Sequence, residues 1–318
     1  MSRVRYILLA ALVALCAVAC QRRPMEEQYL RVYLDLEIER DIVNYEIKDG
    51  EPGLMRVVFF DAVTNDYLSH DYVSHEGGEI FAPYGDVNML VYNIEAGETR
   101  VRNYYSWSGI EAYTHEISRT QRSLFAHYLQ SRNETRPSYE KICTTPGHLF
   151  VGHKENIHIP QHITEELFTI EAKAKTVVES WTIEIDGVSG MEWVGSVSLM
   201  LSGQVASNFI STSTPSEESV AICFDAATAS RGTMTLTSRF ETFGREKTSG
   251  DPALLSVLFT DVQGHPYLYN FDVSEQMEDN PDHHIVIRAD VNIPKPEIGG
   301  GFAPTVDDWK EHNFNIDL

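Results

Sequence analysis

Six histidines stand close enough along the chain to suggest metal chemistry: His148, His153, His158 and His162 fall within fifteen residues, and His283 and His284 are adjacent. Imidazoles are common zinc ligands, but a site needs three or four ligating groups converging on one point. On a strand, side chains share a face only at even separations, and His148 to His153 and His153 to His158 are each five apart. A turn would have to bring two of them together, and no metal site is expected. Serine chemistry finds no better footing. Gly187-Val188-Ser189-Gly190 lacks the second glycine at the spacing of a nucleophile elbow and reads as a turn. The chain has no His-Glu-x-x-His pair and no phosphate-binding glycine loop. Glu26-Glu27, Glu165-Glu166, Glu217-Glu218 and Asp307-Asp308 are solvated charges in a chain with 47 acidic residues. No catalytic residue, cofactor or enzymatic activity is expected.

Cysteine carries a sharper signal. Arg3 and Arg5 form a basic start, and Ile7 to Ala19 is an apolar run ending in small residues, the layout of a secretory signal. Thirteen residues reach about 20 Å as a helix, short of the ~30 Å hydrocarbon core of a bilayer. Ala17-Val18-Ala19-Cys20 resembles a lipobox, departing from it at Ala17, where leucine is usual. The expectation is a signal peptide over residues 1–19, cleavage after Ala19, acylation of Cys20 and a tether over 20–27. The acyl chains on one such cysteine satisfy the two-signal requirement for stable anchoring. Cys16 leaves with the signal, so Cys143 and Cys223, 80 residues apart, are the one pair able to oxidise. Either they bridge, as the compartment permits, or they are buried thiols among Ile142, Ile222 and Phe224.

Loss of residues 1–19 removes two arginines and no acid, leaving 23 basic residues against 47 acidic ones and a net charge of −24. Such a surface disfavours nucleic acid and anionic lipid alike. Membrane association is therefore assigned to the lipid itself. Gln21 lacks the aspartate that retains lipoproteins at the inner membrane in other bacteria, so an outer-membrane, surface-exposed location is expected.

About 290 mature residues exceed the usual size of one core. Period-two segments dominate, at Tyr29–Ile38, Met55–Phe60, Val87–Ile94, Phe168–Ala174, Trp181–Ile185, Val194–Leu201, Thr233–Phe240, Leu254–Phe259 and His284–Ile293. Only Glu116–Gln130, with Leu124, Phe125, Tyr128 and Leu129 at helical spacing, reads as a helix. Strands without a βαβ rhythm predict an all-β chain of two tandem antiparallel sandwiches, over residues 28–163 and 164–293, with a tail over 294–318. The join falls near Pro160 to Glu166. No internal repeat is visible in the residues.

Several runs carry a family likeness. They are Met55-Arg56-Val57-Val58-Phe59-Phe60-Asp61, Gly77-Gly78-Glu79-Ile80 and Gly85-Asp86-Val87-Asn88-Met89-Leu90-Val91-Tyr92-Asn93. Further on come Gly187-Val188-Ser189-Gly190, Ser198-Leu199-Met200-Leu201-Ser202-Gly203 and Gly301-Phe302-Ala303-Pro304-Thr305-Val306-Asp307-Asp308-Trp309. Their order resembles the fimbrillin-like lipoproteins of Bacteroidales. Read bottom-up, Gly77-Gly78 supplies a hairpin reversal, and Gly85-Asp86 opens a strand with Val87, Met89 and Val91 on one face.

The resemblance implies transthyretin-like sandwiches and a non-enzymatic role in pili or adhesion, as anchor or accessory subunit in preference to shaft. The implied partners are other pilus or adhesion subunits and the outer membrane, reached through the lipid on Cys20. In polymerising members an arginine-specific protease removes the first strand, and the vacated groove accepts a strand from the next subunit. Here a cut after Arg40 would release Tyr29, Val32, Leu34 and Leu36 with the lipid; uncut, Arg40 is a solvated turn residue. The tail is either a donor segment or packs back through Trp309, Phe314 and Ile316. A second class of function, a glycan-binding surface lipoprotein, rests on Tyr104, Tyr105, Trp107 and Tyr113, which bind sugars if exposed and fill the core if buried.

Overall fold

A computed structural model describes residues 29–45, 52–124, 141–162, 167–226, 235–247, 250, 252–296 and 310–314. Cys20 and Ala19 lie outside the described residues. In chain order the elements are β1 (Tyr29–Ile38), β2 (Leu54–Asp61), β3 (Tyr67–Ser74), β4 (Gly78–Pro83), β5 (Gly85–Asn93), β6 (Arg100–Arg102), β7 (Glu111–Tyr113), helix α1 (Arg119–Leu124) and β8 (Ile142–Thr144). There follow β9 (Phe150–Ile159), β10 (Thr169–Thr176), β11 (Glu179–Ser189), β12 (Val194–Val205), β13 (Ser207–Phe209), β14 (Thr214–Pro215) and β15 (Ser219–Asp225). The last are β16 (Thr235–Thr242), β17 (Leu254–Asp261), β18 (Pro266–Asp272), β19 (His284–Asn292) and β20 (Lys310–Phe314).

Seven strands in the order β3-β2-β5-β9-β10-β1-β4 form the first sandwich. The sheet folds over itself at β10, whose residues 169–174 pair with β1 while Lys175 and Thr176 pair with β9. Alternation along β1 sends Val32, Leu34 and Leu36 inward. They meet Met55, Val57 and Phe59 of β2 and Val87, Met89 and Val91 of β5 in one core. The seam where β3 faces β4 is stapled by Asp71, whose carboxylate accepts the main-chain N–H groups of Tyr72 and Phe81, each at 2.8 Å.

The second sandwich sets β16-β11-β19 against β20-β18-β17-β12-β15-β8. Its core takes Trp181 and Ile183 from β11, Leu199 and Leu201 from β12, Phe240 from β16 and Val257 and Phe259 from β17. Both sandwiches share one wiring. In the first, the opening strand β1 lies between its antiparallel partner β4 and its parallel partner β10, the closing strand. In the second, β11 lies in the same way between β16 and β19. The facing sheets repeat the order β3-β2-β5-β9 as β15-β12-β17-β18. Residue-level comparison misses this repeat because only the topology recurs.

Residues 94–124 and 141–149 leave the first sandwich and cover outer faces of both. Trp107, Ile110 and Ala112 bury Val58, Phe60, Leu90 and Tyr92 on the back of β2 and β5, together with Val178, Val205, Ile210 and Phe243. Ile117 and Ile142 cover Met200, Ala221, Leu258 and Leu268 on the back of the six-stranded sheet. Because both faces are covered, β2 and β5 read as continuous apolar runs with blurred alternation. The small sheet β14-β13-β7-β6 joins the two halves. Burial at this joint would push the Glu111 carboxyl up, but hydrogen bonds from Arg102 Nε (2.6 Å) and Ser207 Oγ, with the arginine's charge, hold it below its ordinary value.

The expectation of antiparallel sandwiches holds for most ladders, yet β1/β10, β11/β19, β8/β15 and β18/β20 are parallel, so the sheets are mixed. The expected helix at Glu116–Gln130 is observed as Arg119–Leu124, with residues beyond 124 outside the described ones. Its start is displaced because Glu116 bridges Cys143 and Ile117 is buried. Gly187 is not a turn: β11 runs through it with a register shift against β19, and the reversal begins at Gly190 (φ 81°). A side chain at Gly187 would stand 2.4 Å from Ala289 O, so the close parallel neighbour demands glycine there.

Leu34 is fully buried in the first core. Leu34→Ala is expected to cost about 2–5 kcal/mol of unfolding free energy, read from urea melts. Tyr33→Ala, on the exposed face of the same strand, should cost far less.

Candidate functional site

The feature best built for a partner is the slot occupied by β1. Main-chain bonds hold β1 on both sides, to β10 from Tyr33↔Thr169 to Ile38↔Ala174 and to β4 from Tyr29↔Pro83 to Leu34↔Gly78. Its inward residues Leu30, Val32, Leu34, Leu36 and Ile38 fill successive positions of the core. The turn before β4 presses on the strand's backbone, since a Cβ at Gly77 (φ 84°) would lie 2.2 Å from Leu34 O. A strand leaving this slot would open a groove flanked by two hydrogen-bonding edges and floored by alternate apolar pockets, which is the chemistry of strand addition.

Arg40 follows β1 in an exposed, non-strand stretch between two fixed points. Upstream, Glu39 N donates to Ala174 O at 2.9 Å. Downstream, Asn44 Nδ2 donates to Asp282 O and His283 O at 2.9 and 3.0 Å, and Tyr45 packs on His148 with ring centroids 4.1 Å apart. The exit from β1 is thus tied to the second sandwich. A cleft of about 820 Å³ opens beside it, lined among others by Asp41, Ile42, Lys175, Glu217 and Lys247.

The histidines are dispersed to separate partners. His148 Nδ1 lies 2.8 Å from Thr176 Oγ1 and Nε2 2.8 Å from Ser180 Oγ, His158 pairs with Asp86 at 2.7 Å, and His153 and His162 are exposed. His283 stacks on Trp181 at 4.5 Å, and His284 faces Glu184. Among the described residues no group of three or more His, Cys, Asp or Glu is placed to hold a metal ion. Ser189 Oγ is bound within its own strand pair, 3.1 Å from Val291 O.

Of the four aromatic residues read as one cluster, Tyr104 and Tyr105 stay together and the other two part from them. Trp107 is buried in the joint between the sandwiches, and Tyr113 lies under the guanidinium of Arg102 at 4.7 Å. Tyr105 is 59% exposed and meets Tyr67 and Tyr104 at centroid distances of 4.8 and 4.4 Å. Arg56 caps Tyr104 at 4.5 Å, and His70 and Tyr72 extend the ring group along β3. Sequence reading missed Tyr67, His70 and Tyr72, since β3 was not recognised as a strand placing them together.

In the tail, residues 310–314 add to β18 in parallel within the chain's own sheet. Trp309 and Ile316 lie outside the described residues. The two thiols are free. In the parallel ladder Cys143 stands opposite Ile222 and Cys223 opposite Thr144, so the cysteines are offset by one and point to opposite faces of the sheet. Cys143 enters the second core, while Cys223 packs on the outer cluster around Met200. Burial, aided by the charges of Glu116 and Asp225 respectively, raises each thiol to about 11. At pH 8 roughly one thiolate in a thousand is then present. Both cysteines should resist a thiol reagent in the folded protein and react on denaturation, with identical mobility on reducing and non-reducing gels.

Residues 19–225 match the family model described as "Domain of unknown function (DUF5119)". A "Putative fimbrium anchoring subunit Fim4B" of Bacteroides ovatus is 23% identical over 98% of this chain and 96% of its own. Among solved structures, a "putative adhesin" of Bacteroides ovatus superposes with a TM-score of 0.63 at 21% identity, covering 88% of this chain and 98% of that one. "The fimbrial anchor protein Mfa2 from Porphyromonas gingivalis" gives a TM-score of 0.50 at 12% identity, covering 82% and 90%. At these identities the structural likeness establishes the shared fold. The family model, by contrast, spans well over half the sequence, from residue 19 into β15 of the second sandwich: the chain belongs to the DUF5119 family.

Proposed function

We propose that this protein is a non-enzymatic subunit of a fimbria-like adhesive assembly on the cell surface, held to the outer membrane by lipid on Cys20 and acting as an anchor or accessory piece. The observation that carries this reading is the end-to-end correspondence with a relative named as a fimbrium anchoring subunit, 98% of this chain against 96% of that one. The likeness of fold to a fimbrial anchor protein supports it. Its partners are other subunits of the assembly, engaged by protein contact. The acidic chain gives nucleic acid no electrostatic foothold.

The two sides of β1 separate the possible roles. Retained, β1 completes the first sandwich and joins it to the tether, as an anchor requires. Released by a cut after Arg40, it would leave the groove for a strand of the next subunit, as a shaft requires. The anchor reading predicts that protein recovered from its native cells begins at acylated Cys20 by intact mass and peptide mapping. A terminus at Asp41 would replace it with strand exchange.

A second reading, a glycan-binding surface lipoprotein, is favoured by the ring group of exposed Tyr72 and Tyr105 and half-buried Tyr67 and Tyr104 beside Arg56. Aromatic faces stack on sugar C–H surfaces, and the phenols and guanidinium supply hydrogen bonds. On this reading Tyr105→Ala should lower the signal on a glycan array at least tenfold without changing the melting temperature. An array showing no binding by the parent protein removes the reading.

A further inference from the structure

The outer face of β10-β1-β4 changes character along its length. At the Tyr29 end, Tyr29 (45% exposed), Tyr33 (38%), Phe81 (58%) and Leu167 (40%) lie on one surface. Arg31 stands opposite Phe81, and Tyr33 between Thr169 and Glu79. Among the described residues the charges beside them are Arg31 and Glu79, paired at 2.8 Å, and the Asp71 carboxylate, which accepts the main-chain N–H groups of Tyr72 and Phe81. Toward the other end the same face carries Asp35, Glu37 and Glu171, with Lys173 paired to Glu37 at 3.0 Å. Ten residues of strand, about 33 Å, thus run from an apolar, aromatic end to a charged one.

We propose that this apolar end, formed by Tyr29, Tyr33, Phe81 and Leu167, rests in the headgroup region of the bilayer that holds the chain's own lipid. The inference depends on the reading that Cys20 is acylated. Nine residues along the chain reach at most about 32 Å fully extended, so the tether delivers this end of β1 to the membrane and keeps it there. Tyrosine suits that depth, with its ring in the acyl boundary and its phenol among the headgroups. The pairing of Arg31 with Glu79, and the main-chain N–H groups that the Asp71 carboxylate accepts, temper the charge of the patch and permit approach despite the chain's net negative charge, and the charged end of the face points the sandwich away from the surface. Four side chains are far fewer than the roughly 20–30 residues per partner of a stable protein interface. They suffice for a surface already concentrated by a tether. The contact needs β1 in place, so it belongs to the uncut protein.

The test uses the acylated full chain in phosphatidylcholine vesicles containing a brominated phosphatidylcholine quencher. A fluorophore is attached at Phe81→Cys or, as a control, at Val63→Cys, which lies in the β2–β3 turn and is 86% exposed. Buried Cys143 and half-buried Cys223 remain unlabelled. Quenching of at least twofold at position 81 with none at 63, lost in a Tyr29→Ser, Tyr33→Ser variant of unchanged melting temperature, is the expected result. Equal quenching at the two positions would overturn the contact while leaving acylation intact. Self-quenching at position 81 that is the same without vesicles would overturn it in favour of a second copy of the chain. Intact mass of the native protein reads the lipid separately, and an unmodified Cys20 would sink both readings.

Discussion

Everything in the first sandwich depends on main-chain hydrogen bonding to both edges of one strand. β1 satisfies β4 on one side and β10 on the other, and buried N–H and C=O groups left without partners are costly to leave unpaired. Its alternate side chains supply one wall of the core. The stretch that follows it ties the first sandwich, through Asn44, to the second. Mechanical load applied ahead of Tyr29 would enter through β1, in shear along two ladders, the geometry in which many hydrogen bonds resist together.

The second sandwich meets the same requirement differently. Its opening strand is held by β16 and β19 without help from outside. The free edges of its larger sheet are taken by β8 from the long excursion and by β20 from the tail. Both ends of that sheet are thus extended by distant segments of the same chain. In the first sandwich the Asp71 carboxylate does the equivalent job at the seam, by occupying main-chain donors of both β3 and β4.

Much of this was legible in the residues. The alternation of β1 and the apolar runs at Met55–Phe60 and Val87–Ile94 fall on strands, and Gly77-Gly78 makes the reversal expected of it (φ 84° and 147°). What escaped has physical causes. β3 is an edge strand with little burial, so Tyr67, Leu68, His70 and Tyr72 carry no strong apolar pattern. β15 and β18 are short apolar runs that periodicity alone does not assign. The cover supplied by residues 94–124 and 141–149 is set by tertiary contact, and so is the division of Trp107 to the core from Tyr105 to the surface. The cysteine pair was undecidable from spacing. A one-residue offset in a parallel register separates the two thiols, and register is a property of the folded sheet.

The shared wiring of the two sandwiches also governs how the chain reaches its native state. In each, the opening strand finds its parallel partner only in the closing strand: Tyr33 meets Thr169, and Thr182 meets His284. Pairings so distant in sequence require large loops to close before any contact rewards them, which slows folding. Until β10 emerges, β1 has a single hydrogen-bonded neighbour. A chain made from its N-terminus thus passes through a long interval in which β1 is half satisfied, and the timing of closure becomes a point where other factors can act on it.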